Sequence, residues 1–429
     1  MRFVCTTLLL LLILSNNSII AQKKETVKDY FKEIQVLTEK KKVKAAFAII
    51  DQLEPQTRKE HIELTEIPAP PFNETARANR FKQLLEDAGP HKVWFDSLGN
   101  VLLLRKGSKG GKTIVLDAHL DTVFPEGTDV KVKIKGDTLF APGIADDTRG
   151  LIAILTVLRA LENAAITTDN DILFVASLGE EGMGDLRGIK YILKTSKRKI
   201  DSWISVDGIG IAEIVNGGLG VVRYRVTYKG PGGHSWGAFG LGNPHHAMAK
   251  GINYFSDEAM KFTSNGIKTS FNVGRTGGGT SVNSIPFESW AEVDMRSESA
   301  SRLRGIDSIF KTSLNKGLVD YNKCLKKGQP LTLTVEQIGN RPTGVTPESL
   351  PIVQRSMAAA KYFGETPKVG MESTNSNVPI AMGIPAITIG AGGRSNHEHS
   401  LGEWWINQKG VDGIKFILLV LLGEAGVSE

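Results

Sequence analysis

His119, Asp121, Asp146, Glu180, Glu181, Asp207 and His399 can each hold a metal or move a proton, and each reads as following an apolar, strand-like run. Residues 113–121 read Thr-Ile-Val-Leu-Asp-Ala-His-Leu-Asp, a buried-strand pattern that ends in His-x-Asp. The two-residue period of a strand sends His119 and Asp121 to one face, where one can bind a metal and the other orient it. Glu180 and Glu181 are neighbours on extended chain and so point to opposite sides: one carboxylate can hold a metal while the other addresses a water molecule. Nitrogen and oxygen donors with no cysteine nearby suit zinc, cobalt or manganese in a catalytic rather than a structural site. The set suffices for two divalent ions ~3.5–4 Å apart that share one carboxylate and one water, with a further acid left for proton transfer.

Residues so far apart in the chain meet only if a sheet gathers them, and in open α/β sheets ligands collect beyond the carboxyl ends of the strands. The spacing predicts that alternation. A charged helix over residues 23–52 precedes a second over 74–88, with Asn73 as its N-cap, Phe81, Leu84 and Leu85 facing inward and Gly89 closing it. Then follow a strand over 113–118, a helix over 147–163, a strand over 171–178, a helix over 186–194 and a strand over 203–206. The pattern then changes. Residues 220–228 alternate as an amphipathic strand, 245–256 are helical, 281–296 read as two strands split by Pro286, and a helix runs to about Leu314. Gly274 to Thr280 is glycine-rich, lacks the Gly-Lys-Ser/Thr ending of a phosphate loop, and reads as a turn. A helix over 351–363 and a strand over 384–389 resume the first pattern, so residues 216–328 read as an inserted α+β module dividing a catalytic domain into 22–215 and 329–429.

The chain has 429 residues, 41% hydrophobic and 23% charged, enough for two globular cores. Residues 1–21 carry Arg2, an apolar core from Leu8 to Leu14 and small polar residues before Gln22, the layout of a signal peptide. That core is short of the ~20 residues that span a bilayer, so export is expected rather than permanent membrane insertion. Cys5 falls in this segment and leaves Cys324 alone, so no intramolecular disulfide is expected. The net charge of +6 is scattered except at residues 40–44, which argues against a nucleic-acid partner.

The motifs resemble those of the co-catalytic zinc exopeptidases that include aminoacylase, peptidase T and the carboxypeptidase G type. Asp-Ala-His-Leu-Asp-Thr-Val from Asp117 is similar to that family's first metal motif, Gly143-Ile-Ala-Asp-Asp to its bridging-aspartate motif and Leu178-Gly-Glu-Glu-Gly to its base-plus-ligand pair. Ser205-Val-Asp-Gly resembles the third ligand segment, and His399-Ser-Leu-Gly-Glu403-Trp the last histidine. The resemblance implies two zinc ions, one on His119, Asp146 and Asp207 and the other on Asp146, Glu181 and His399, with Asp146 bridging. It implies Glu180 as general base and Asp121 as the residue that orients His119. It also implies that residues 216–328 form a dimerisation lid, whose His234, in Gly-Gly-His-Ser, completes a neighbouring active site in a homodimer, and whose Asn283 and Arg296 contact substrate. Arg296 could hold a free carboxylate or make a structural salt bridge.

Two departures stand out. Thr148-Arg149-Gly150 replaces the family's common Lys-Gly-Gly, and Asn375 stands where Thr-Asp-x-Asn is common, which puts a supporting hydrogen bond in doubt. His397 competes with His399, which is preferred because Glu403 follows it by four residues; His245 and His246 read as helix-surface residues. The expectation is an exported di-metal exopeptidase acting on short peptides. An N-acyl amino acid deacylase is the nearest alternative and a non-catalytic peptide-binding protein a more distant one.

Overall fold

A computed structural model describes residues 28–428; the signal-like segment 1–21 lies outside them. The largest sheet has nine strands. At its centre Thr113–His119 lies parallel between Asp171–Ser177 and Ser202–Val206, and Ala386–Ile389 continues parallel beyond the latter. Antiparallel pairings extend both sides, through Val101–Arg105 and Val93–Phe95 at one and Glu213–Gly218 at the other.

The central strands are buried throughout, which explains their nearly continuous apolar runs. Alternate residues feed two cores. Ile114, Leu116, Ile172, Phe174 and Ile204 join helices Lys41–Thr65, Thr148–Asn163 and Gly410–Ala425 on one face. Val115, Leu173, Val175 and Trp203 meet helix Arg187–Thr195 on the other. This part of the chain is thus a helix–sheet–helix sandwich.

The module between the halves is antiparallel. Its strands run in the order Thr269–Gly278, Glu288–Ser297, Gly220–Lys229, Thr332–Arg341, and the strict alternation of burial along Glu288–Ser297 marks one face covered and one open. Helices Pro244–Thr263 and Ala300–Asn322 cover that face around Tyr228, Phe255 and Phe310. A Cβ on Gly317 would lie 2.5 Å from the Gly251 Cα, so only glycine lets these helices cross so closely.

Several expectations shift. The first helical segment is two helices, Tyr30–Glu39 and Lys41–Thr65, because Lys40 is extended (φ −60°, ψ 130°) and turns the chain between them. The next helix is Thr75–Glu86, with Glu74 rather than Asn73 at its N-cap; Phe81, Leu84 and Leu85 do face inward. The glycine-rich stretch read as a turn is strand as far as Gly278, with a bulge between Val273 and Arg275 that absorbs Gly274. The inserted sheet takes its fourth strand, Thr332–Arg341, from beyond residue 328, since that strand pairs with Gly220–Lys229 along its whole length.

The chain crosses between the halves near Leu219 and near Pro342. The fully buried Asn377 side chain donates to both carbonyl oxygens, at 2.8 and 2.9 Å, and accepts from Thr374 N at 2.9 Å. Among the described residues no helix is long and apolar enough to cross a membrane.

Candidate metal centre

His119 ends the central strand and emerges beside Ser177. Its Nδ1 lies 3.0 Å from the main-chain oxygen of Asp121; a carbonyl only accepts, so Nδ1 carries a proton, and Nε2, turned to Asp146, is the nitrogen that can serve as a ligand once it gives up its own. The Asp121 carboxylate does something other than the sequence suggests. It sits 3.6 Å from the ring nitrogen and instead accepts the N–H groups of Glu180 and Glu181 at 2.9 and 2.8 Å, donors that the buried turn would otherwise leave unpaired. Asp121 therefore orients the ring through its backbone and the glutamate turn through its side chain.

Asp146 lies between the two histidines. Its Oδ1 is 3.0 Å from His119 Nε2, and its Oδ2 is 2.9 Å from His399 Nε2, which lies in turn 3.0 Å from Glu181 Oε1. Two side chains hold the Asp146 loop. Glu403 accepts from the N–H groups of Gly143, Ala145 and Asp146 at 2.8, 2.8 and 3.1 Å. Asp147, joined to Asp146 by a cis peptide, accepts from His119 N and caps helix Thr148–Asn163 through Gly150 N. His399 does not follow the Ala386–Ile389 strand directly: it occupies a loop between Arg394–Asn396 and Trp404–Ile406, in a small separate sheet. Asp207 directly follows Ser202–Val206 and lines the same cavity as Asp146, Glu181 and His399.

These residues fit a divalent cation. Ligand atoms of His119, Asp146 and Glu181 all lie within 4.8 Å of one another. The 2.9–3.0 Å spacings match two donors each ~2.0–2.1 Å from one ion. The electrostatics agree. Burial pushes Asp207 up to about 7. Burial works in the same direction on Asp146, yet hydrogen bonds from both histidines outweigh it and hold that carboxyl well below the ordinary range. Hydrogen bonds to Asp146 and Glu181 push His399 up to about 11. Such a concentration of buried negative charge is what a cation neutralises.

Beside these groups is a cavity of about 360 Å³, lined also by Glu180, Arg223, Arg296, Arg341 and Glu372. Burial pushes the Glu180 carboxyl up to about 8, against the pull of Arg341, whose Nη1 donates to Oε1 at 2.8 Å. Arg223 and Arg296 share Asp294, each donating Nε to one of its oxygens at 2.8 Å. Arg296 thus makes a salt bridge and still borders the cavity. His234 and Asn283 do not line it. Both are exposed on the short pairing of Gly233–His234 with Ser284–Ile285 and its flank, where His234 Nδ1 accepts from Trp236 N and Gly237 N.

Arg223 escaped the sequence reading because it alternates with apolar residues along an amphipathic strand, where a charged side chain looks solvent-facing, and Arg341 because it follows Gly339-Asn340 in a stretch with no apolar run around it. The doubt over Asn375 resolves differently. Its Nδ2 donates to Asp117 Oδ2 at 2.6 Å and Ser177 Oγ at 2.9 Å, so an amide replaces the carboxylate where a donor to Asp117 is needed.

Known proteins resemble this chain at several levels. Carboxypeptidase G2 of a Pseudomonas strain is 27% identical over 149 residues, 34% of this chain and 35% of that protein. The cytosol non-specific dipeptidase of Escherichia coli is 25% identical over 328 residues, 68% of this chain and 63% of that one. The matches thus span about a third and under two thirds of these relatives. Among solved structures, aminopeptidase PepT from Bacillus cereus superposes with a TM-score of 0.67 at 20% identity, covering 86% of this chain and 97% of that one. A di-peptidase from Saccharomyces cerevisiae gives 0.70 at 15% identity, covering 90% and 99%, a likeness of fold. The model of Peptidase family M20/M25/M40 matches residues 115–422, a span that takes in every side chain gathered here from His119 to His399, and the chain therefore belongs to that family of metallohydrolases.

Proposed function

We propose that this chain is a di-metal exopeptidase that hydrolyses short peptides, with His119, Asp146 and Asp207 holding one ion and Asp146, Glu181 and His399 the other. The observation that carries the reading is Asp146, with one carboxylate oxygen against each histidine. When bound, a pair of divalent ions, zinc by the donor set, polarises the scissile carbonyl and lowers the pKa of a water towards ~7. Glu180 takes the proton of the attacking water and returns it to the leaving nitrogen. Its Oε1 is held by Arg341, which leaves Oε2 for the water, and its raised pKa suits an acid that must both accept and donate near neutral pH. Arg296 has its Nη groups left to receive a substrate carboxylate bidentately.

The same reading makes His234 and Asn283 residues that serve a partner's site in a homodimer. Supporting it, both lie off their own cavity, next to the exposed Trp236, Phe239 and Val282. The layout of residues 1–21 supports export.

The deciding experiment is to measure bound metal and hydrolysis of dipeptides, tripeptides and N-acetyl amino acids before chelation, after it, and after reloading with zinc. Peptide cleavage that disappears and returns with the metal is the expected result. Turnover of acylated amino acids alone would make the enzyme a deacylase, and a stoichiometric metal complex inert on the whole panel would leave only a binding protein. Sedimentation of a fully active monomer would remove His234 and Asn283 from the site.

A further inference from the structure

Glu372 ends strand Lys368–Glu372, beside the crossing into the lid, where its main-chain oxygen accepts from Leu219 N at 2.7 Å. Its side chain lines the same cavity as Asp146, Asp207 and His399. The other acids around that cavity have occupations. Asp146 and Glu181 meet histidines, Glu180 meets Arg341, Asp294 is shared by two arginines, and Asp207 belongs to the proposed ion set. Among the described residues the Glu372 carboxylate has no cationic side chain within 4 Å and no hydrogen-bond donor, and the charged groups with which it interacts are other acids, Glu213 and Asp207. The cavity therefore offers a carboxylate without a counter-charge as well as guanidinium groups.

A ligand that covers Glu372 strips it of water. An ammonium group compensates with its charge and a charge-assisted hydrogen bond, whereas an acylated nitrogen keeps one neutral N–H, carries no charge and brings a carbonyl acceptor beside the carboxylate, whose charge stays uncompensated. An extended dipeptide spans ~7 Å and a tripeptide ~10 Å, lengths suited to a cavity of this size. We propose that Glu372 receives the free α-ammonium group of the substrate, so that the site takes short peptides with an unblocked amino terminus and discriminates against N-acylated ones. This rests on the peptidase reading above and deepens it by naming the substrate class.

The test compares Ala-Ala with N-acetyl-Ala-Ala, which share one scissile bond, on the zinc-loaded wild type, Glu372→Gln and Glu372→Lys. The wild type should favour the free amine by at least ~10-fold in kcat/KM, mainly through KM. In Glu372→Gln that ratio should fall to near one, as the free-amine peptide loses its ion pair and the acetylated peptide no longer strands a charge, and Glu372→Lys should invert the preference through like-charge repulsion. Equal use of both peptides by the wild type, or a ratio that survives Glu372→Gln in a protein with unchanged melting temperature, would overturn the assignment while leaving the peptidase intact. Failure of the metal-loaded wild type to cleave either peptide would overturn the peptidase reading and the assignment with it.

Discussion

Arg341, at the end of strand Thr332–Arg341, donates to the side-chain Oε1 of Glu180 at 2.8 Å and also to the Glu180 main-chain oxygen. Arg223, one strand away, donates to Gly182 O at 2.9 Å, and Asn340 N donates to Asp185 Oδ1 at 2.9 Å. The inserted module thus grips the loop that carries the candidate base. Arg341→Met should leave a buried carboxylate without its cation, lowering stability by roughly 3–5 kcal/mol. It should also cut kcat more than it raises KM, with metal content unchanged. Arg341→Lys keeps the charge but not the fork and should recover only part of the rate. Steady-state kinetics beside metal analysis checks this, and a variant with wild-type kcat would reduce Arg341 to a bystander.

Glu180→Gln keeps the size of the side chain and removes its ability to accept a proton. Turnover should fall by ~10²–10⁴ while both ions stay bound. Loss of metal along with rate would mean that Glu180 is a ligand instead.

Glu403 touches no proposed ion, yet it fixes three N–H donors of the Asp146 loop, those of Gly143, Ala145 and Asp146. In Glu403→Ala those donors lose their acceptor and the Asp146 loop loses its position. Metal affinity should weaken by ~10–100-fold, as measured by competition with a fluorescent chelator. Unaltered affinity would show that the loop holds its shape unaided.

His61 supplies a pH dependence away from the ions. It is fully buried, with Nε2 2.6 Å from Ile144 O and its ring edge-on to Trp405 at 5.0 Å. Burial, aided by the charge of Arg149, pushes its pKa down to about 3. The unfolded chain titrates near ~6.5 and binds the proton more readily, so the stabilisation is complete above that value and is lost progressively as the pH falls towards 3. By pH 5 the loss should be about 2 kcal/mol. Urea denaturation of metal-free wild type and His61→Phe should show the wild type alone losing this increment between pH 7 and pH 5; parallel curves would count against it.

The central strands, the helices between them and the acids at their ends were legible because each signal is local: a buried run, then a turn, then a polar side chain. His119 and Asp207 are cases of this. What stayed hidden depends on which strands become neighbours. Nothing near Arg341 in the chain says that its strand pairs with Gly220–Lys229 and ends over Glu180, 161 residues away. The division of labour within Asp121 was hidden for a related reason, since the donors that claim its carboxylate belong to a turn 59 and 60 residues further on.

The amide of Asn377 clasps both stretches of chain that lead into the inserted module. With the two tethers pinned at one point, sliding the halves past each other would break both bonds together, whereas swivelling about that point strains neither. Asn375, two residues earlier, reaches the strands that carry His119 and the glutamate turn. The axis of any such swivel is thereby anchored to the scaffold of the catalytic groups, so that opening and shutting the mouth need not disturb the spacing of the side chains behind it.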